Sequence, residues 1–156
     1  MLLKWILVIL HIITAAAWFG IGLRIAGQAR AVVEQEGAAR TALVEDGSQS
    51  VWLMNVFMIL TLVFSLGAFA AGGHFVAYGP VYHTAVLLIV LLTADQLVVI
   101  RGGWSTLSAL VEEASPDVDA LESARKRVAI GTGVGHLIWL VLLVLMFANR
   151  IVPLLT

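Results

Sequence analysis

The sequence has 156 residues, of which 61% are hydrophobic and only 12% are charged. Soluble domains carry about 25% charged residues, so this composition excludes an ordinary soluble fold. A formal net charge of −1 argues against a nucleic-acid partner, because phosphate binding needs a concentrated basic surface. The absence of cysteine excludes disulfides, iron–sulfur clusters and covalent haem attachment.

Four apolar runs follow one another along the chain, each close to the roughly 20 residues that an α-helix needs to cross the bilayer. They cover about residues 3–23, 51–72, 82–100 and 128–149. The first run also has features of a signal peptide, because small residues follow its apolar stretch, but it is long enough to span and basic residues come after it. We therefore predict an all-α integral membrane protein with a single domain over residues 1–156.

The basic residues predict the orientation of these spans. Seven of the nine lie in or beside the first and third loops, namely Arg24, Arg30, Arg40, Arg101, Arg125, Lys126 and Arg127. The second loop has none, and Lys4 and Arg150 lie near the termini. Because basic loops stay in the cytoplasm, the N and C termini are predicted to face outward from a bacterial inner (cytoplasmic) membrane.

Both cytoplasmic connections are predicted to contain helical extensions. Residues 25–33 are rich in helix-forming residues, and apolar positions recur there at helical spacing. Ser115, Pro116 and Asp117 are typical of a helix start, with Ser115 as the cap, so the fourth helix is expected to begin near Pro116. Two antiparallel helical hairpins packed as a four-helix bundle are the simplest architecture.

Two histidines lie deep within the spans, where ionisable side chains are costly and are candidates for a functional site. His11 and His136 lie about 12 Å and about 20 Å below the outer boundary at 1.5 Å per residue. Trp18 shares the face of His11, and Gly135 precedes His136, where a small residue lets a flat cofactor approach. We predict that His11 and His136 are the axial ligands of a haem b iron, with Trp18 and Gly135 in the binding wall.

This haem site requires a tilted cofactor, or helix boundaries shifted by one turn, to absorb a depth difference of about 7 Å. The alternative is that each histidine is structural and forms a hydrogen bond with a threonine, a backbone carbonyl or water.

A second histidine pair, His74 and His83, frames the short outer loop, which contains three aromatic residues. The pair is a candidate for ligating a second haem, binding a transition metal or forming a hydrogen bond to a quinone head group. The alternative is an ordinary aromatic belt at the membrane boundary. His83 is also the rival of His136 as the partner of His11.

Asp95 is the only carboxylate inside a span, and Gln96 adjoins it. An unpaired carboxylate there needs a proton or a cation. One interpretation is a structural ion pair with Arg24 or Arg101. Another is a hydrogen bond from the second ring nitrogen of His136, which would orient that ligand. The third is a proton relay.

The stretch Leu3-Lys4-Trp5 through Leu10-His11-Ile12, with Trp18-Phe19-Gly20 and Leu23-Arg24 after it, resembles the first helix of the CopD-like and HemJ-like group of small bacterial membrane proteins. The resemblance implies a helical bundle associated with haem, copper or porphyrin metabolism. By this resemblance, His11 would correspond to the histidine thought to ligate haem in HemJ-type protoporphyrinogen oxidases. Those proteins usually continue with a second histidine that this chain lacks, so protoporphyrinogen oxidation is not predicted.

The leading hypothesis is a haem-binding, cytochrome b-like membrane protein that serves electron transfer, alone or as a subunit. If it is an enzyme, it is a membrane oxidoreductase. The alternative is a non-catalytic accessory or transport protein, copper- or porphyrin-related, with structural histidines. The lipid bilayer is the expected partner, and a quinone, other redox subunits or further copies of the chain are compatible with the sequence.

Overall fold

A computed structural model describes residues 2–73, 81–113 and 115–151 of the chain. Its elements in chain order are α1 (Leu2–Glu34), α2 (Gly37–Ala71), α3 (Val81–Ala94), a π-helical segment (Asp95–Ile100), α4 (Arg101–Val111) and α5 (Val118–Ile151). α3, the π segment and α4 run on without a break and together form the third span. Four helical spans are long and apolar enough to cross a membrane, with mean hydropathies between 2.0 and 2.3. The predicted all-α four-helix bundle is confirmed, and the described ranges contain no strand.

The helical extensions predicted beyond the apolar runs are present at one end of the bundle. We call this the inner end; it carries the α1–α2 turn at Gln35 and Glu36 and the α4–α5 connection at residues 112–117. The turn is tight because Gly37 adopts a φ of 56°, in the left-handed region that favours glycine. Arg40 closes it by donating from Nε to the Gln35 carbonyl oxygen at 2.6 Å. α1 and α2 are therefore a helical hairpin that continues past the bilayer.

α5 begins two residues later than the predicted start. Its first residue is Val118, and the Asp117 side chain caps the helix by accepting a hydrogen bond from the Asp119 backbone N–H at 2.9 Å. The prediction that Ser115 caps this helix is wrong, because Pro116 and Asp117 are not helical. With 34 residues, α5 is about 51 Å long, well beyond the bilayer core.

The third span contains the one element that the hydropathy pattern did not predict, the π segment that begins at Asp95. A π turn inserts an extra residue into a helix and leaves backbone groups without their usual partners. Arg127 of α5 satisfies one of these groups by donating to the Val98 carbonyl oxygen at 2.8 Å. π turns occur frequently at functional sites, which directs attention to Asp95 and its neighbours.

Glycines on α5 allow it to lie very close to the third span. A Cβ on Gly131 would stand 2.8 Å from Val99 Cγ1, and one on Gly135 would stand 3.0 Å from Asp95 Oδ2. On the other side of this interface, a Cβ on Gly103 would stand 2.9 Å from Val128 Cγ2. Small residues of this kind let membrane helices pack backbone to backbone, so α5 and the third span form the second hairpin.

The tightest core lies toward the inner end. Four of its fully buried residues are Ile25, Val32, Leu107 and Val128, one or more from each of α1, α4 and α5. α2 packs against α1 along its length and against α4, where Trp104 covers Gly47. Most of the large apolar side chains elsewhere are exposed, as expected for surfaces that contact lipid tails.

Candidate functional site

His11 ties α1 to α2. Its Nδ1 lies 3.2 Å from the Thr61 carbonyl oxygen, so the ring donates this hydrogen bond. The Thr61 hydroxyl is also occupied, because it donates to the Phe57 carbonyl oxygen at 2.7 Å. A hydrogen bond from histidine to a backbone carbonyl is the contact expected if His11 is structural. This bond uses Nδ1 and not the second ring nitrogen, Nε2.

His136 packs on α1 much further along that helix. Its Nε2 lies 3.2 Å from the point where a Cβ on Gly22 would stand. The ring meets Phe19 edge-on, with centroids 4.9 Å apart, and Phe19 in turn contacts Trp139 at 4.4 Å. The absence of a side chain at Gly22 is what admits the imidazole to this interface.

The two histidines are therefore at different levels of the bundle. Gly22 is eleven residues beyond His11 on α1, which corresponds to about 16 Å along the helix axis. The buried Trp18 indole lies between the two levels. Axial ligands bind one iron from its two faces, and rings separated by this distance cannot do so in the arrangement described. The separation exceeds the 7 Å inferred from counting residues because that count ignored how the helices slide against each other.

The cavity beside His136 gives a second test of the haem prediction. It contains the predicted wall residues, Trp18 and Gly135, together with Gln96, Met54 and the Thr132 side chain. Its volume is about 20 Å³, close to the space required by one water molecule. This cavity is far smaller than a porphyrin. The described arrangement gives the haem site at His11 and His136 no support, and this site stays a prediction.

The predicted outer pair, His74 and His83, cannot be assessed as a pair from the described residues. His74 lies outside the described residues. His83 is on the first turn of α3 with an exposed side chain, next to Tyr82, which stacks on Phe69 of α2 with a centroid distance of 5.9 Å. The second haem, transition-metal and quinone roles proposed for this pair stay predictions.

Asp95 begins the π segment and points its carboxylate at α5. Its Oδ2 is buried, has no hydrogen-bond partner in the described part of the chain, and lies against Gly135, the residue before His136. The ion pair predicted with Arg24 or Arg101 is wrong for the described residues, because Arg24 pairs with Asp46 instead and Arg101 is exposed. No hydrogen bond joins Asp95 to His136 among the contacts of these ranges.

Gln96 completes what we call the middle cluster, made of Asn55, Asp95, Gln96 and His136. The Gln96 side chain is only 1% exposed and donates from Nε2 to Asn55 Oδ1 at 3.0 Å. Its Oε1 is buried and accepts no hydrogen bond from any described residue. The cluster thus has two buried oxygen atoms that can accept a hydrogen bond, Asp95 Oδ2 and Gln96 Oε1, and Gln96 also lines the cavity of water size.

A further polar group, which we call the inner cluster, lies nearer the inner end. Gln28 Nε2 donates to Asp46 Oδ2 at 2.6 Å and to Ser50 Oγ at 3.0 Å, and Arg24 lies 3.7 Å from Asp46 Oδ2. The sequence prediction missed this cluster. The available signal was the position of Gln28, which follows Gly22 and Ile25 at the spacing of one helix face.

Comparisons of the sequence with protein-family models, with curated proteins and with solved structures gave no match. The resemblance of the first helix to the CopD-like and HemJ-like group therefore stays a prediction.

Proposed function

We propose that this chain is a four-span membrane protein that binds and releases a proton at the middle cluster, as a transport or accessory component of the membrane. The observation that carries the proposal is the buried Asp95 Oδ2, which has no partner among the described residues. An ionised carboxylate without a partner is costly in an apolar interior. A proton is the smallest species that removes this cost.

The surroundings of Asp95 suit a proton better than a metal ion. A metal needs several ligands, whereas the Asn55 oxygen already accepts from Gln96. A protonated carboxyl group needs one acceptor for its O–H, and Gln96 Oε1 is an acceptor without a donor in the same region. The cavity of about 20 Å³, lined by Gln96, Gly135 and His136, has room for one water molecule beside this region.

The chemistry is a single reversible proton transfer. A hydrated proton that reaches the site is transferred to Asp95 Oδ2, leaving water and a neutral carboxyl group. The His136 imidazole, one residue from the Gly135 contact of Asp95, is a second base in the same layer. Ionisable residues inside spans commonly mark proton relays, and the π turn that presents Asp95 is typical of functional positions.

Electron transfer through haem b, the leading hypothesis from sequence, stays a prediction. An absorption spectrum of the purified protein, with and without dithionite, tests it directly. The geometry favours the alternative class because His136 contacts α1 about three turns away from His11.

Labelling with dicyclohexylcarbodiimide tests the proton site. This apolar reagent adds to a protonated carboxyl group within a membrane, and the acyl group then migrates to nitrogen to leave a stable adduct. We expect one adduct per chain, located at Asp95 by mass spectrometry, whose formation slows as the pH rises. Asp95→Asn should abolish it, and Asp119→Asn, which changes an exposed carboxylate, should not. Labelling that persists in Asp95→Asn would refute the proposal.

A further inference from the structure

The inner cluster joins the protein surface to the interior. The Asp46 side chain is 56% exposed, whereas Gln28, which donates to it, is only 8% exposed. Gln28 Oε1 is buried and accepts no hydrogen bond from the described residues. The amide thus has its donor end on the exposed carboxylate and an acceptor end inside the bundle.

The inner and middle clusters are close together along the bundle, because α2 carries Ser50 and Asn55 and α1 carries Gln28 and the Gly22 contact of His136. Gln28 is six residues from Gly22, the contact of His136, which is about 9 Å along α1. On α2, Ser50 is five residues from Asn55, which is about 8 Å. An apolar layer of Ile25, Val51 and Ile100 separates the clusters. Each side of this thin layer therefore has one buried amide oxygen without a donor, Gln28 Oε1 and Gln96 Oε1.

The route from the middle cluster to the outer end is longer and more obstructed. Trp18 and Met58 are 3% and 2% exposed and fill the next layer. The buried Thr14, about 12 Å from the level of Gly22 along α1, donates its hydroxyl to the Leu10 carbonyl oxygen. His11, which bonds to Thr61, is about 16 Å from that level. The His11 Nδ1 and the Thr61 hydroxyl are both committed to backbone carbonyl oxygens.

From these contacts we infer that Asp46 and Gln28 form the port through which Asp95 exchanges protons with water at the inner end. The inference rests on the proposed function, since it assigns the route to that same site. Asp46 takes a proton from bulk water. It passes the proton to a water molecule that Gln28 Oε1 holds on one side of the apolar layer. That water passes a proton to a second water beside Gln96 Oε1, in the cavity that Gln96 lines, and the second water delivers a proton to Asp95 Oδ2. Asp46 is ionised again, and one positive charge has moved inward.

The charged neighbours of Asp46 allow the port to be tested separately from its ion pair. Arg24 on α1 faces the carboxylate, Glu45 is the adjacent residue on α2, and α4 contributes an uncharged contact through Trp104, which donates to Ser48. Replacing Arg24 removes the ion pair but keeps the carboxylate. Replacing Asp46 removes both.

A pH-jump experiment on the detergent-solubilised full chain measures the port. The readout is the infrared carbonyl band of protonated Asp95, identified by its loss in Asp95→Asn. We expect Asp46→Asn and Gln28→Leu to slow the appearance of this band at least tenfold while its final amplitude is retained. Glu45→Gln and Arg24→Gln should keep rates within twofold of the unmodified protein.

The outcomes separate the two proposals. A wild-type rate in Asp46→Asn overturns the port, and so does an Arg24→Gln variant as slow as Asp46→Asn, because the ion pair would then be the cause. Asp46→Asn keeps an oxygen acceptor for Gln28, so it serves as the decisive variant if Gln28→Leu does not fold. Absence of the Asp95 band in the unmodified protein would instead refute the proton site itself.

Discussion

The Nε2 atom of His136 lies 3.2 Å from the position that a Cβ on Gly22 would occupy, so the imidazole of α5 is seated directly on the backbone of α1. This contact determines the level at which α5 stands against α1. It also separates His136 from His11, whose ring is bonded to α2 nearer the outer end.

Replacing Gly22 should therefore disturb the bundle in proportion to the size of the new side chain. Gly22→Val is expected to lower the free energy of unfolding by about 1–3 kcal/mol, because His136 and Met54 must move to admit it. Denaturant titration in detergent measures the change. Gly20→Val is the matched control, since no atom lies within 4 Å of a Cβ there. Equal stability of Gly22→Val and the unmodified protein would contradict this contact.

His11 and His136 should act independently. Residues more than about 10 Å apart without shared partners give additive effects on stability, within about 0.5 kcal/mol. We expect the unfolding free energy of the His11→Ala and His136→Ala double variant to equal the sum of the single changes.

The opposite result would support the haem prediction. Ligands of a single iron act as a unit, so the second substitution would then add little to the first, and one Soret band would vanish in both single variants. The absorption spectrum and the double-mutant cycle together decide between these arrangements.

The hydrogen bond between Gln96 and Asn55 should contribute measurably to stability. Asn55→Leu leaves the buried Gln96 amide without its acceptor, which costs about 1–3 kcal/mol of unfolding free energy. Adding Gln96→Leu should recover part of this loss, because removing both polar partners is less costly than removing one. Gln49→Leu, on the exposed face of α2, is the control. A double variant less stable than Asn55→Leu would argue against this pairing.

The orientation of the chain is tested by reporter fusions. Seven of nine basic residues are in or beside the connections at the inner end, so that end should face the cytoplasm. A C-terminal alkaline phosphatase fusion, which is active only outside the cytoplasm, should be active. A fusion after Arg40 should be inactive. The reverse pattern would place the proposed port of Asp46 on the outer side.

Much of the fold is predictable from the sequence because it depends on local properties. Span number and position follow from hydropathy, and the bundle with helical extensions follows from the spacing of apolar residues and the short α1–α2 connection. His11, Asp95 and His136 stand out for the same reason, since each interrupts an apolar run. These properties need no knowledge of which helices touch.

Only the tertiary structure decided which polar residues meet. The level of His136 depends on a glycine of another helix, and Arg24 pairs with Asp46 and not with Asp95. The π turn at Asp95 packs against α5, and Arg127 of α5 donates a hydrogen bond to the Val98 carbonyl oxygen of the π segment. Hydropathy specifies depth only roughly, whereas these contacts depend on the relative slide and rotation of helices. The slide and rotation of the helices are determined by close packing at small residues. The sequence of one helix does not show which residues of another helix it will contact.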